Sequence, residues 1–347
     1  MGDSYGVVKV AAVQAACVFL DREGSTEKAC RLIREAGQNG ARVIGLPEGF
    51  IPAHPLWYHH HAATSTVANK LAVELFKNSV EIPGPETDAL CAAARAANAY
   101  VVIGVCEKMP NTTGTMFNSQ LYIGPDGMLI RKHQKIMPTV GERLVHMGGY
   151  GDTFGAFQSE FGPLSGLICG ENTNPLAMFA LIAEGTRIHV MSWPNHLPVS
   201  GDPMRNRVAV ASQAFAEISK AFVVSACGTV DERMIEMLQA GPEGEIFLRN
   251  PDCCGGSLIV DPLSRIIAGP LGAEEGILYA DCDLDLGIQM KLRHDFAGHY
   301  NRPDIFQLHV NRAAPQLYHQ HNGPAALSLA VAEALAAPPA RLAPEEK

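Results

Sequence analysis

The sequence predicts an α/β protein in which strands and helices alternate. Short β-branched runs alternate with alanine-rich stretches, the signature of helices layered on sheets. The 347 residues are 47% apolar and 18% charged, ample for a large core. No low-complexity linker interrupts residues 6–300, which favours one continuous domain. Alternation by itself equally permits a layered sandwich, a doubly wound sheet or a barrel.

The elements follow in order. Val7 to Ala15 reads as a buried strand, 25–38 as a helix and 42–46 as a second strand, ending in Leu46-Pro47-Glu48. Helices are expected near 64–79 and 86–98, and a strand at 100–106. Met116 to Ile123 and Met128 to Lys132 flank Gly124-Pro125-Asp126-Gly127, a strong turn signal, and so read as a hairpin. Leu164 to Ile168 is a short apolar run that ends in Cys169-Gly170. A helix near 175–185, strands near 187–192 and 221–227, and a hairpin-like pair at Gly256–Val260 and Ile266–Ala268 complete the body. Beyond about residue 310 the composition changes: Ala325 to Ala337 reads as an alanine-rich helix and 338–347 as a disordered tail.

Three strand-like runs end in reactive side chains: a carboxylate at Glu48, an ammonium at Lys135 and a thiol at Cys169. Ligand sites in open α/β sheets lie beyond the carboxyl ends of strands, so the three can converge. An isolated strand-end cysteine is more often a small buried hydrophobe than a nucleophile. The parallel placement of the other two groups reverses that reading.

In Leu46-Pro47-Glu48-Gly49-Phe50-Ile51-Pro52, His133-Gln134-Lys135-Ile136-Met137-Pro138-Thr139 and Ile168-Cys169-Gly170-Glu171-Asn172, taken in that order, the chain resembles the carbon–nitrogen hydrolase, or nitrilase, superfamily. Gly141-Glu142-Arg143-Leu144 is similar to its second glutamate segment, and Gly298 to Asp304 to a C-terminal segment of the nitrilase branch. The resemblance covers residues 6–310, leaving 311–347 as an extension. It implies a four-layer α-β-β-α sandwich and a nitrilase, a hydrolase of carbon–nitrogen bonds other than peptide bonds that works without cofactor or metal. In the implied chemistry Cys169 attacks a nitrile and Glu48 is the general base. Lys135 stabilises the developing charge, and Glu142 holds Lys135 and orients the substrate. A thioimidate and then a thioester lead to acid and ammonia. An amide or carbamoyl hydrolase, or nitrile hydration that stops at the amide, uses the same three residues.

The pattern departs from the family at Gly170, where the nitrilase branch often carries an aromatic residue, and at Gln134, where Arg is common. Loss of a ring beside the thiol is expected to reshape the acyl pocket. Trp57, Thr139, Gly170, Asn172, Trp193 and Pro194 are the expected substrate contacts. His59-His60-His61 reads as a solvated loop, not a metal site, because consecutive imidazoles point apart.

Other classes fit poorly. A net charge of −9 and no long basic run argue against nucleic acid. The nine cysteines are scattered, with no Cys-x-x-Cys, and fit a reducing compartment better than a disulfide scaffold. No apolar stretch reaches the ~20 residues of a membrane span, and no signal peptide precedes the first strand, so a cytoplasmic enzyme is expected. The resemblance implies a homodimer that assembles into larger spirals, with the insert at Gly228–Asn250 and the C-terminal tail as contact regions.

Overall fold

The computed structural model describes residues 3, 5–197 and 202–314. The expected helix at Ala325–Ala337 and the tail after it therefore lie outside the described residues. Among the described residues there are twelve strands: β1 (Val7–Gln14), β2 (Val43–Gly45), β3 (Tyr100–Lys108), β4 (Met116–Ile123), β5 (Leu129–Gln134), β6 (Phe157–Ser159), β7 (Gly162–Ile168), β8 (Ile188–Trp193), β9 (Phe222–Cys227), β10 (Leu258–Val260), β11 (Ile266–Ala268) and β12 (Gly276–Asp283). They form two six-stranded sheets, ordered β12-β1-β2-β3-β4-β5 and β11-β10-β9-β8-β7-β6. In each sheet three parallel strands, β1-β2-β3 or β7-β8-β9, are flanked by antiparallel partners.

The helices are α1 (Arg22–Gln38), α2 (Thr66–Asn78), α3 (Pro85–Ala97), α4 (Pro175–Ala183), α5 (Met204–Ser219), α6 (Glu232–Leu238), α7 (Gly241–Leu248) and α8 (Leu284–Lys291). Parallel strands buried on both faces read as continuous apolar runs because each face packs on something. In β1, Val8, Val10 and Ala12 face Leu164, Val190 and Val224 of the second sheet. Ala11 and Val13 point the other way, against Ala29, Ile33 and Ala36 of α1 and Leu90 and Ala94 of α3. On the far side, Met191 and Val223 of the second sheet pack on Met204, Val208 and Phe215 of α5. The result is the α-β-β-α sandwich.

The layers are joined by polar contacts as well as apolar ones. Gln120 Nε2 donates to Ser192 Oγ at 2.8 Å, and Ser192 Oγ donates to the Leu46 carbonyl at 2.8 Å. The Tyr122 hydroxyl lies 2.8 Å from Gln120 Oε1 and 3.0 Å from the Gly166 carbonyl. These bonds fix how far one sheet can slide along the other.

Several elements were not foreseen. The α5 stripe, buried at Met204, Val208, Ala211, Phe215 and Ser219, has helical spacing that the sequence reading passed over. Half-exposed β12 carries too little apolar alternation to stand out, and β6 is three residues long. Within the insert at Gly228–Asn250, α6 buries Met234, Ile235 and Leu238 in the outer core of the first sheet. Among the described residues no helix is long and apolar enough to cross a membrane.

Candidate active site

Glu48 follows β2, Lys135 follows β5 and Cys169 follows β7, so the site is built where strand ends of the two sheets meet. The Glu48 amide donates to the Trp193 carbonyl at 3.1 Å, tying the first sheet's exit loop to the end of β8. Gly104 in β3 makes room for that loop. A Cβ there would lie 2.5 Å from the Pro47 carbonyl and 2.7 Å from Glu48 Cα, closer than any real contact. The Lys135 amide donates to the Asn118 carbonyl of β4 at 2.8 Å, which continues the β4–β5 ladder to the lysine.

The side chains form a closed ionic cluster. Lys135 Nζ donates to Glu48 Oε1 at 2.7 Å and to Glu142 Oε2 at 2.6 Å. Asn118 Nδ2 donates to the same two carboxylates, at 2.7 Å to Glu48 Oε1 and 2.6 Å to Glu142 Oε1. The Thr139 amide and His146 Nδ1 complete the shell of Glu142, at 2.9 and 3.2 Å. His54 Nε2 lies 3.4 Å from Glu48 Oε1 and 3.7 Å from Glu142 Oε2. Both oxygens of Glu142 are thus engaged, whereas Glu48 Oε2 is buried with no partner among the described residues.

Charge balance follows from this geometry. Burial disfavours the ionised forms, but Lys135 and His54 outweigh it at Glu48 and hold that carboxyl below its ordinary value. At Glu142, burial is likewise overcome by Lys135, His146 and His54, and the shift downward is larger. Burial opposes the charge of Lys135, yet the two carboxylates keep the ammonium well above its usual range. Burial also opposes charge on His54, but Glu48 and Glu142 raise it to about 9. Two anions therefore meet two cations. Glu48, His54 and Glu142 also bring three potential metal-ligating atoms within 4.8 Å of one another, but the Lys135 ammonium already bonds to both carboxylates.

Cys169 sits at the start of a one-turn 3-10 helix, Cys169–Thr173, with φ of +49°, a left-handed backbone rare for a residue with a side chain. Burial and then the Glu48 charge push its thiol well up, partly offset by Lys135 and by the Gly170 amide. Glu171 anchors this turn: its carboxylate accepts from the Ile136 amide at 2.6 Å and the Ile168 amide at 3.0 Å, and lies 2.9 Å from His133 Nε2. One side chain thus clamps the segment carrying Lys135 to the segment carrying Cys169.

A cavity of about 260 Å³ opens beside the cluster, lined by Cys169, Lys135 and Glu142 together with His54, Tyr58, His59, Thr139, Val140, Pro194, His196 and Leu197. Of the expected substrate contacts, Thr139 and Pro194 line it and four do not. Trp57 is fully buried in the outer core of the first sheet, and Trp193 packs among Ile168, Met178 and Met204 beneath the second. Asn172 is turned inward, donating to the Leu167 and Cys169 carbonyls at 3.2 and 3.0 Å and meeting His189 at 2.9 Å, so it shapes the cysteine turn. Gly170 is exposed and does not itself line the cavity, and a Cβ there would meet only Oγ1 of the cavity-lining Thr139, at an ordinary 3.5 Å.

His59, His60 and His61 are half-buried, not solvated: His59 lines the cavity, and His61 Nε2 lies 2.7 Å from the Leu238 carbonyl. His299, within the Gly298–Asp304 segment, is exposed and does not line this cavity. Reading along the chain missed Asn118, His54, His146, His196 and Glu171. Only Glu171, two residues after the cysteine, stood inside a segment already singled out.

Residues 9–291 match the family model for carbon-nitrogen hydrolase. The chain is 36% identical over 313 residues to "Nitrilase 2" from an unknown prokaryotic organism, covering 90% of this chain and 95% of that protein. It is 36% identical over 311 residues to an aliphatic nitrilase of Sinorhizobium fredii, covering 87% and 95%. Saccharomyces cerevisiae Nit3, a member of branch 10 of the nitrilase superfamily, superposes with a TM-score of 0.63 at 18% identity, over 84% of this chain and 96% of that one.

Proposed function

Because the chain belongs to the carbon–nitrogen hydrolase family, we propose that it is a nitrilase, hydrolysing a nitrile to the carboxylic acid and ammonia with Cys169 as nucleophile, Glu48 as general base and Lys135 as electrostatic stabiliser. The observation that carries the division of roles is the inequality of the two glutamates. Glu48 has one oxygen held by Lys135 and Asn118 and the other free, so it can take a proton without breaking the cluster. Glu142 has no free oxygen and acts by holding Lys135 in place.

The resting thiol is neutral, since burial beside two carboxylates disfavours a thiolate. Attack on the nitrile carbon therefore transfers the thiol proton to Glu48 as the sulfur–carbon bond forms, and Glu48 passes that proton to the nitrile nitrogen, leaving a neutral thioimidate and a carboxylate again. Glu48 then activates a water that adds to this carbon. Ammonia leaves, and a second water releases the acid from the thioester. Lys135 and the Gly170 amide face the charge that develops in each tetrahedral species, an effect worth about 3–4 kcal/mol per donor. With an amide substrate the path joins at the thioester.

Relatives named nitrilase or aliphatic nitrilase at 33–36% identity support the nitrile over the amide. The test is incubation of the enzyme with a nitrile panel and the matching amides, with acid, amide and ammonia measured separately. Acid and ammonia from nitriles are expected, and ammonia from amides alone would refute the proposal. In the same assay Glu48→Gln should lower kcat by about 10²–10⁴-fold. Mass spectrometry of that variant should find the acyl adduct on Cys169. We further take residues 6–310 as the hydrolase domain of a cytoplasmic homodimer that builds spirals. Light scattering of the full chain against one ending at Pro324 tests whether the extension contributes to assembly.

A further inference from the structure

The cavity that holds the Cys169 thiol has a second wall, made of imidazoles. His54, His59 and His196 line it, and His60 stands behind His59, where both border a neighbouring cleft. The ring of His196 is fully buried and packs between His59 and His60, each at 5.5 Å between centroids, with Phe247 edge-on at 5.3 Å. Its backbone is fixed on both sides. Asn195 Nδ2 donates to the Thr229 carbonyl at 2.7 Å, and the Leu197 amide donates to the Cys253 carbonyl at 3.1 Å.

This wall plays no part in the proton transfers described above. Even so, both ring nitrogens of His196 and Nδ1 of His59 are buried without a partner among the described residues. Burying three hydrogen-bonding atoms unpaired is unfavourable, and the cost is recovered only when something in the cavity pairs with them. Burial, reinforced by the neighbouring imidazoles, holds His59 down at about 4 and His196 well below its usual value. Each ring is therefore neutral at pH 7 and offers one donor and one acceptor. Neither ring supplies a counter-charge for a carboxylate. The charge on His54 already faces Glu48 and Glu142.

We propose that His59 and His196 form a specificity wall for the far end of the substrate, selecting uncharged nitriles that carry a hydroxyl or a heterocyclic nitrogen over their all-carbon isosteres. This rests on the nitrilase reading and names the substrate class within it. A site built to hydrogen-bond a substrate group discriminates strongly against the analogue that lacks it, because its own polar atoms are then left unpaired.

The experiment compares kcat/KM within two matched pairs, 3-hydroxypropionitrile against butyronitrile and 3-pyridylacetonitrile against phenylacetonitrile, in the wild type and in His196→Leu, His196→Gln and His59→Leu. In at least one pair the wild type should favour the polar member by about tenfold or more. His196→Leu should bring that ratio towards one, and His196→Gln, which keeps a donor and an acceptor, should restore part of it. Because the ratio is internal to each protein, it separates lost recognition from lost enzyme. His59→Leu gives a second reading if His196→Leu does not fold. Ratios near one for both pairs in the wild type would overturn the inference and leave the nitrilase reading intact. So would a polar preference that neither leucine variant alters. Absence of ammonia from every nitrile would refute the nitrilase reading, and this inference with it.

Discussion

One amide nitrogen of Asn118 serves both carboxylates, at 2.7 and 2.6 Å, and so joins Glu48 and Glu142 as firmly as Lys135 does. Asn118→Asp would remove that donor and add a third carboxylate against a single ammonium and an imidazolium. It should lower kcat by about 10²-fold or more at pH 7, with partial recovery near pH 5 as the new acid takes a proton. A pH–rate profile of the variant checks this, and unchanged activity at pH 7 would contradict the shared-donor role. At this scale the three reactive groups were legible in the sequence, because each stands where a strand-like run stops. Asn118 was not, since a lone asparagine inside a strand gains its meaning only from the register that sets it beside Lys135. His54 lies in an irregular loop with no periodicity to mark it, and the tryptophans misled because a large ring fills a core as readily as a pocket.

Two glycines near the site separate what strands demand from what loops tolerate. Gly104 belongs to β3, where the Pro47–Glu48 backbone passes too close for any side chain. Gly104→Ala should destabilise by about 1–3 kcal/mol and displace Glu48, lowering activity beyond what stability alone explains. Gly170, with only Thr139 Oγ1 within ordinary contact distance, should accept alanine within about 0.5 kcal/mol. Thermal melts paired with initial rates for the two variants test the contrast, and equal losses would refute it. The strands buried on both faces were readable from their apolar runs. By contrast β12, at a sheet edge and half-exposed, gives a pattern hardly distinguishable from a loop.

For the molecule as a whole, the buried cluster ties stability to pH. His54 has a folded-state value near 9 against an ordinary 6.5, so its contribution is full below about pH 6.5 and is lost as pH rises through 9. The lowered carboxyls of Glu48 and Glu142 act in the opposite sense. Their contribution is present above their ordinary value of 4.5 and is lost as pH falls below it. Stability should therefore peak between about pH 5 and 7, and the difference in Tm between the wild type and His54→Gln should shrink from pH 6 to pH 9.5. A difference that grew over that interval would show that the imidazolium is not paired as the geometry has it. The alternation of strands and helices announced α/β layering but left sandwich and barrel equally open. What settles the architecture is the pairing of β12 with β1 and of β9 with β10, contacts between segments far apart in sequence that no local pattern encodes.

The polar chain from Tyr122 through Gln120 and Ser192 to Leu46 also has a consequence for how this gene can drift. A two-residue slip of one sheet along the other would carry Cys169 roughly 6.6 Å from its partners, twice the rise per strand residue and far beyond hydrogen-bonding reach. Insertions and deletions within β5 or β7 should thus be eliminated by selection, whereas the Gly124–Gly127 turn, at the opposite end of β5 from Lys135, should tolerate them. A deep insertion scan read out by growth on a nitrile as sole nitrogen source would display that boundary directly, as silence along the strands and tolerance at the turn.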